Sequence, residues 1–209
     1  MIAGPVLSPI SMAISASESP PCRACVTKYD RKPCGVTWPI PSPLQRAANG
    51  SNTKECGEAL QDLARYLFGR IPGVEPCEDN VRNAFGTEEI DVPFWNKQLP
   101  TGLYFLPNLF PVECKYWDRP VGSKEVAYFG TILRHRGCDC GIILAMKGIA
   151  GTVKPLTAAY YEVTMALAQG QRILILDESD IKSVTSTRRL ALLLKRKYSN
   201  LILYAANRQ

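Results

Sequence analysis

Two short, nearly unbroken apolar runs, residues 141–146 and 172–176, constrain this chain more than any other feature. Runs of five or six residues are too short for a buried helix, and a solvated strand would alternate with polar side chains, so they read as strands buried on both faces. Helical patterns flank them. From Ser123, a good N-cap with Glu125 in the first turn, Val126, Phe129, Gly130 and Leu133 mark one helical face until Gly137 stops it. A second helix is expected over about 155–168, ended by Gly170. Apolar strands alternating with helices imply a sheet covered on both faces.

Upstream, Leu60, Leu63, Ala64, Leu67 and Phe68 recur at helical spacing, so a helix is expected over about 53–68, stopped by Gly69 and Pro72. Residues 81–85 and 88–95 read as a β-hairpin turning at Gly86-Thr87, and 109–117 as a third strand after a loop rich in Pro and Gly. The C-terminal part reads as a helix over about 179–197 with 201–204 a last short strand. The expectation is an α/β domain, three layers α/β/α around a central mixed sheet, in the order α-β-β-β-α-β-α-β-α. Residues 1–50 hold eight of the sixteen prolines and show no periodicity, so they read as a disordered Pro/Ser/Cys-rich tail, and 51–209 as one domain.

Several chemistries are excluded. The single histidine, His135, removes His-rich metal sites and is expected to be an exposed helix residue or a phosphate neighbour. Neither a P-loop nor a nucleophile elbow is present. No apolar run approaches the roughly 18 residues of a membrane span, and the first sixteen residues carry no Lys or Arg, so a cytoplasmic location is expected. Of the eight cysteines, Cys114, Cys138 and Cys140 lie in or beside strand-like runs and read as buried thiols. Cys22, Cys25 and Cys34 have the pitch of a zinc knuckle that lacks its fourth ligand.

Carboxylates and lysine remain. In Val112-Glu113-Cys114-Lys115 the alternation of a strand puts Glu113 and Lys115 on one face and Val112 and Cys114 on the other. In Glu89-Ile90-Asp91-Val92, Ile90 and Val92 face the core while Glu89 and Asp91 share the opposite face. If the two strands are neighbours, Asp91 stands beside Glu113. Adjacent carboxylates repel unless a cation lies between them, and a hard divalent ion such as Mg²⁺ fits oxygen donors best. An isolated Glu-x-Lys triplet is also compatible with a surface salt bridge.

With the helix around Gly57-Glu58-Ala59-Leu60-Gln61, Asp91, Glu113-Cys114-Lys115, and Val121-Gly122-Ser123 opening the next helix, residues 54–178 resemble the PD-(D/E)xK nuclease superfamily, nearest its Mrr-like restriction endonuclease branch. The resemblance implies a restriction-endonuclease-like fold and Mg²⁺-dependent hydrolysis of DNA phosphodiester bonds, of restriction or repair type. It further implies Asp91 and Glu113 as metal ligands and Lys115 as the water-activating residue. The family's first-helix glutamate falls at Gln61 here, with Glu58 one turn earlier. The loop over 96–108 lengthens the spacing between Asp91 and Glu113 and is either a DNA-contacting insertion or an inert surface loop.

Net charge is +6, and after Asp180 the chain carries Lys182, Arg188, Arg189, Lys195, Arg196, Lys197 and Arg208 with no acidic residue. Together with Lys124, Arg134 and Arg136 these are either DNA contacts or a solvated basic face. Expected partners are DNA, a second copy of the chain, and a separate ATPase or specificity subunit, since this chain contains neither function. Two other readings share the fold: a branched-DNA resolvase and a catalytically silent DNA-binding or assembly module.

Overall fold

The computed structural model describes residues 53–152 and 157–204. The first helix, α1 (Thr53–Phe68), has the bounds its periodicity predicts, and Leu60, Leu63, Ala64, Leu67 and Phe68 are all buried. Next come β1 (Val74–Pro76), β2 (Val81–Arg82), β3 (Glu89–Ile90), β4 (Val92–Asn96) and β5 (Leu109–Lys115). The remainder is α2 (Ser123–His135), β6 (Cys140–Ala145), α3 (Ala159–Ala168), β7 (Arg172–Leu176), α4 (Glu178–Ser183) and α5 (Thr187–Tyr204).

Five strands form one mixed sheet in the order β1-β4-β5-β6-β7, antiparallel from β1 to β5 and parallel from β5 to β7. β2 and β3 make a separate two-stranded hairpin. Register decides which residues share a face. Phe94 pairs with Phe110 and Val92 with Val112, and α1 packs on this face through Phe68, whose ring centroid lies 5.3 Å from Phe94 and 5.9 Å from Phe110. Glu113 pairs with Ile143 and so shares the opposite face with Gly141 two residues along β6. There α2 lies so close that a Cβ on Gly141 would stand 2.7 Å from Phe129 Cζ and 2.8 Å from Leu133 Cδ2. α2 also packs on α3, with Gly130 beside Ala166 of α3 and Ile173 of β7. Every residue of β6 is buried, as a strand covered on both faces requires.

The α/β class and the mixed sheet agree with the sequence, and the order differs in four places. β1 is an additional edge strand, with only Val74 buried. The expected long hairpin is divided: β2 and β3 are two residues each, and at Asp91 the chain passes from the hairpin into the main sheet. The C-terminal helix is broken at Val184, whose backbone is extended, and residues 201–204 are the last turn of α5 rather than a strand. Gly122, not Ser123, occupies the N-cap of α2. Cys114, Cys138 and Cys140 are buried free thiols, as expected. The tail, with Cys22, Cys25 and Cys34, lies outside the described residues. Among the described residues no helix is long and apolar enough to cross a membrane.

Candidate active site

The pairing of Val92 with Val112 sets Asp91 across from Glu113, one step beyond the last β4–β5 pair. Backbone accounting fixes Asp91 there. Its Oδ2 accepts the Cys114 N–H at 2.8 Å, and its carbonyl accepts the Asn80 N–H at 2.9 Å. The carboxylate thus takes up a strand donor beyond the end of the β4–β5 ladder, which explains why the hairpin gives way to the sheet at this residue. On β5, Glu113 and Lys115 project together, and Lys115 Nζ lies 2.6 Å from Glu113 Oε1. The three side chains expected to converge are therefore adjacent, on the α2 face of the sheet.

Their electrostatics follow from burial. The Glu113 side chain is only 14% exposed. Burial first, then the charge of Asp91, push its carboxyl from the ordinary 4.5 up to about 7, against the pull of Lys115. Asp91 is likewise raised by burial, which outweighs the Cys114 N–H and the Lys115 ammonium. Burial disfavours the Lys115 ammonium, but the Glu113 charge and hydrogen bond prevail and hold its pKa above the ordinary lysine value. The Lys115 ammonium is thereby held as a hydrogen-bond donor to Glu113. Two carboxylates facing one ammonium leave a local excess of negative charge, which a cation would relieve.

These three residues form the floor of a cleft of about 330 Å³. One wall is the β2–β3 hairpin, through Arg82, Gly86, Thr87, Glu88 and Glu89; the other is α2, through Tyr128 and Ile132. The hairpin is fastened to α2 at several points. Glu88 Oε1 lies 2.6 Å from His135 Nδ1, and the Arg136 guanidinium donates to the carbonyls of Val81 and Glu88 at 3.4 and 3.3 Å. The Tyr128 hydroxyl donates to the Thr87 carbonyl at 3.1 Å. Within the hairpin, Arg82 is paired with Glu89 at 2.8 Å. His135 therefore serves as a half-exposed anchor of this wall.

Other sequence candidates lie elsewhere. Neither Gln61 nor Glu58 lines the cleft: Gln61 donates to Asn80 and accepts from Arg65, while Glu58 pairs weakly with Lys54 on the surface. The segment between β4 and β5 folds onto the core, burying Leu103 and Leu106, and the buried Asn96 amide donates to the carbonyls of Leu103 and Leu106 at 2.8 and 3.1 Å. Tyr104, in the same segment, is exposed. Of the basic residues, Lys197 is 3% exposed and bonded to Asp180 at 2.7 Å, so it is structural, and Lys182 pairs with Glu178 at 2.8 Å. Lys124, Arg188, Arg189 and Arg196 are exposed, and Arg134 bonds Gln169. Arg208 lies outside the described residues.

Sequence reasoning missed Tyr128, Thr87, Glu88 and Arg82 as cleft residues. For Tyr128 a signal existed, since it falls off the buried stripe of Val126, Phe129 and Leu133 on a helix that borders the acidic strand. Among the described residues no group of three or more His, Cys, Asp and Glu side chains is placed to hold a metal; of the cleft's carboxylates, Glu88 is paired with His135 and Glu89 with Arg82, and Asp91 and Glu113 stand side by side on the floor. No protein-family model matches this chain, and no curated protein matches it.

Proposed function

We propose that this protein is a Mg²⁺-dependent endodeoxyribonuclease of restriction-endonuclease-like fold, with Asp91, Glu113 and Lys115 as its active site. One observation carries the reading: Asp91, immediately before β4, stands across from Glu113 on β5 at the floor of a cleft, with the Lys115 ammonium 2.6 Å from Glu113. A lone surface salt bridge would not place a second carboxylate beside the first, nor bury Glu113 so deeply. The topology supports the reading as well, with α1 preceding the acidic strands and α2 crossing over to the parallel strand β6.

The donor set suits Mg²⁺, which keeps several waters and needs only one or two protein carboxylates, better than Zn²⁺, which takes three or four protein ligands. Asp91 and Glu113 would hold the ion, which would polarise the phosphate and lower the pKa of a bound water. The remaining work falls to the chain. Asp91, tied to the Cys114 N–H, is fixed in place; Glu113 anchors the Lys115 ammonium; and Lys115 offsets the negative charge that builds on the phosphate. Water adds to phosphorus in line with the 3′ oxygen as the bond between phosphorus and that oxygen breaks; one proton of the water passes to solvent and the 3′ oxygen takes one up from solvent, leaving a 5′ phosphate and a 3′ hydroxyl. The raised pKa of Lys115 favours charge stabilisation over proton abstraction. The exposed cations Lys124 on α2 and Arg188, Arg189 and Arg196 on α5 would meet backbone phosphates.

Incubating supercoiled plasmid with the protein in Mg²⁺, beside Asp91→Ala and Lys115→Ala variants, tests this. The expected result is nicking by the wild type, abolished by EDTA and reduced at least about 100-fold by either substitution. Cutting that survives both substitutions would refute the assignment, and DNA binding without any cutting would favour a silent assembly module.

A further inference from the structure

The hairpin wall ends in an aromatic side chain that the fold holds away from itself. Phe85 is 87% exposed, more than any other large apolar residue among those described. It is not on a loose loop. Asn83 organises the turn: its N–H donates to the Glu88 carbonyl at 3.0 Å, its carbonyl accepts the Gly86 N–H at 2.9 Å, and its Oδ1 accepts the Thr87 N–H at 2.9 Å. Gly86 supplies the left-handed backbone at φ +67°, which a side chain would strain. The hairpin is in turn fastened to α2 through Glu88, Tyr128 and Arg136. These bonds order the turn, so the exposed Phe85 ring stands at a defined hairpin tip. Its neighbours Gly86 and Thr87 line the cleft that holds Asp91, Glu113 and Lys115, and Tyr128, 51% exposed, lines the same cleft from α2.

We infer that Phe85 is a stacking platform for an unpaired nucleobase, and that the site therefore acts on single-stranded or locally unpaired DNA. The inference rests on the nuclease reading and specifies its substrate. An aromatic ring can stack on a base only where a base face is open, and in a duplex those faces are covered by neighbouring pairs. Base–aromatic stacking is tolerant of sequence, consistent with a chain that carries no base-reading motif. Gly86 and Thr87, which follow Phe85 in the hairpin, line the cleft, so a strand with a phosphate on the carboxylate floor passes beside the hairpin that carries the ring.

Fluorescence anisotropy with the full chain, in Ca²⁺ without Mg²⁺, compares a labelled single strand of about fifteen nucleotides with its duplex. The wild type should prefer the single strand. Phe85→Ala should weaken that affinity roughly 5- to 150-fold, the span of base–aromatic stacking, and leave duplex affinity unchanged. Phe85→Trp should retain it, and Phe85→Leu should fail as Phe85→Ala does. The side chain is exposed, so none of these changes threatens the fold. Affinity within twofold for Phe85→Ala, full affinity for Phe85→Leu, or equal binding of duplex and single strand would overturn the inference. If the plasmid assay still depends on Asp91 and Lys115, only the substrate assignment fails. No binding to either DNA would overturn the nuclease reading along with it.

Discussion

Replacing Glu113 by Gln should stabilise the metal-free protein at alkaline pH, an unusual outcome for a polar substitution at a buried position. The folded state holds the Glu113 proton up to about pH 7, whereas the ordinary value is 4.5. Between these two values the native state binds more protons than the unfolded chain, so stability falls as pH rises through that window. At about 1.4 kcal/mol per pH unit the full loss is on the order of 3 kcal/mol, complete above pH 7. Glutamine has the shape of the protonated acid without its charge. Glu113→Gln should therefore match the wild type near pH 4.5 and exceed it by up to about 3 kcal/mol at pH 8, several degrees in Tm. Urea unfolding in EDTA across pH 4.5–8.5 measures the difference. Mg²⁺ should return part of the lost stability to the wild type, about 1.4 kcal/mol at ten times its Kd, and none to the variant. Parallel pH profiles for the two proteins, or a variant that becomes relatively weaker at alkaline pH, would refute the claim that Glu113 is buried against another carboxylate.

Two further outcomes probe the scaffold. Lys197→Met strands the carboxylate of Asp180, which also completes the capping box of α4, so it should cost about 3–5 kcal/mol in urea unfolding. A loss under 1 kcal/mol would mean that the pair is not buried. Gly141→Ala pushes a methyl group into Phe129 and Leu133, so it should cost about 1–3 kcal/mol by thermal unfolding through displacement of α2. An unchanged Tm would contradict the close approach of α2 to β6.

The parts legible in the sequence are those fixed by local pattern. α1 follows from the 3.6-residue recurrence of Leu60, Ala64 and Leu67, and β6 and β7 from runs too apolar to touch water. The shared face of Glu113 and Lys115 needs only the pleat of a strand. The remainder depends on partners distant in sequence. β1 has one buried residue and exists because the β4 backbone offers it a ladder. The run at 201–204 is ambiguous by composition, and α5 absorbs it because Leu201 alone meets the core. Lys197 looks like one more cation on a basic face, and its burial against Asp180 appears only when α4 and α5 are brought together. The placement of Asp91 was conditional on strand pairing, which its bond to the Cys114 N–H accounts for. The division of the hairpin at that residue, which gives the cleft its wall, had no sequence signature.

The most direct test of the central claim, that Asp91 and Glu113 together bind a divalent cation, is a titration with Mn²⁺ followed by electron paramagnetic resonance. The wild type should sequester Mn²⁺ until added Mg²⁺ displaces it, Asp91→Asn and Glu113→Gln should each lose that binding, and Lys115→Ala should keep it. Binding that is absent from the wild type, or that survives loss of both carboxylates, would contradict the account.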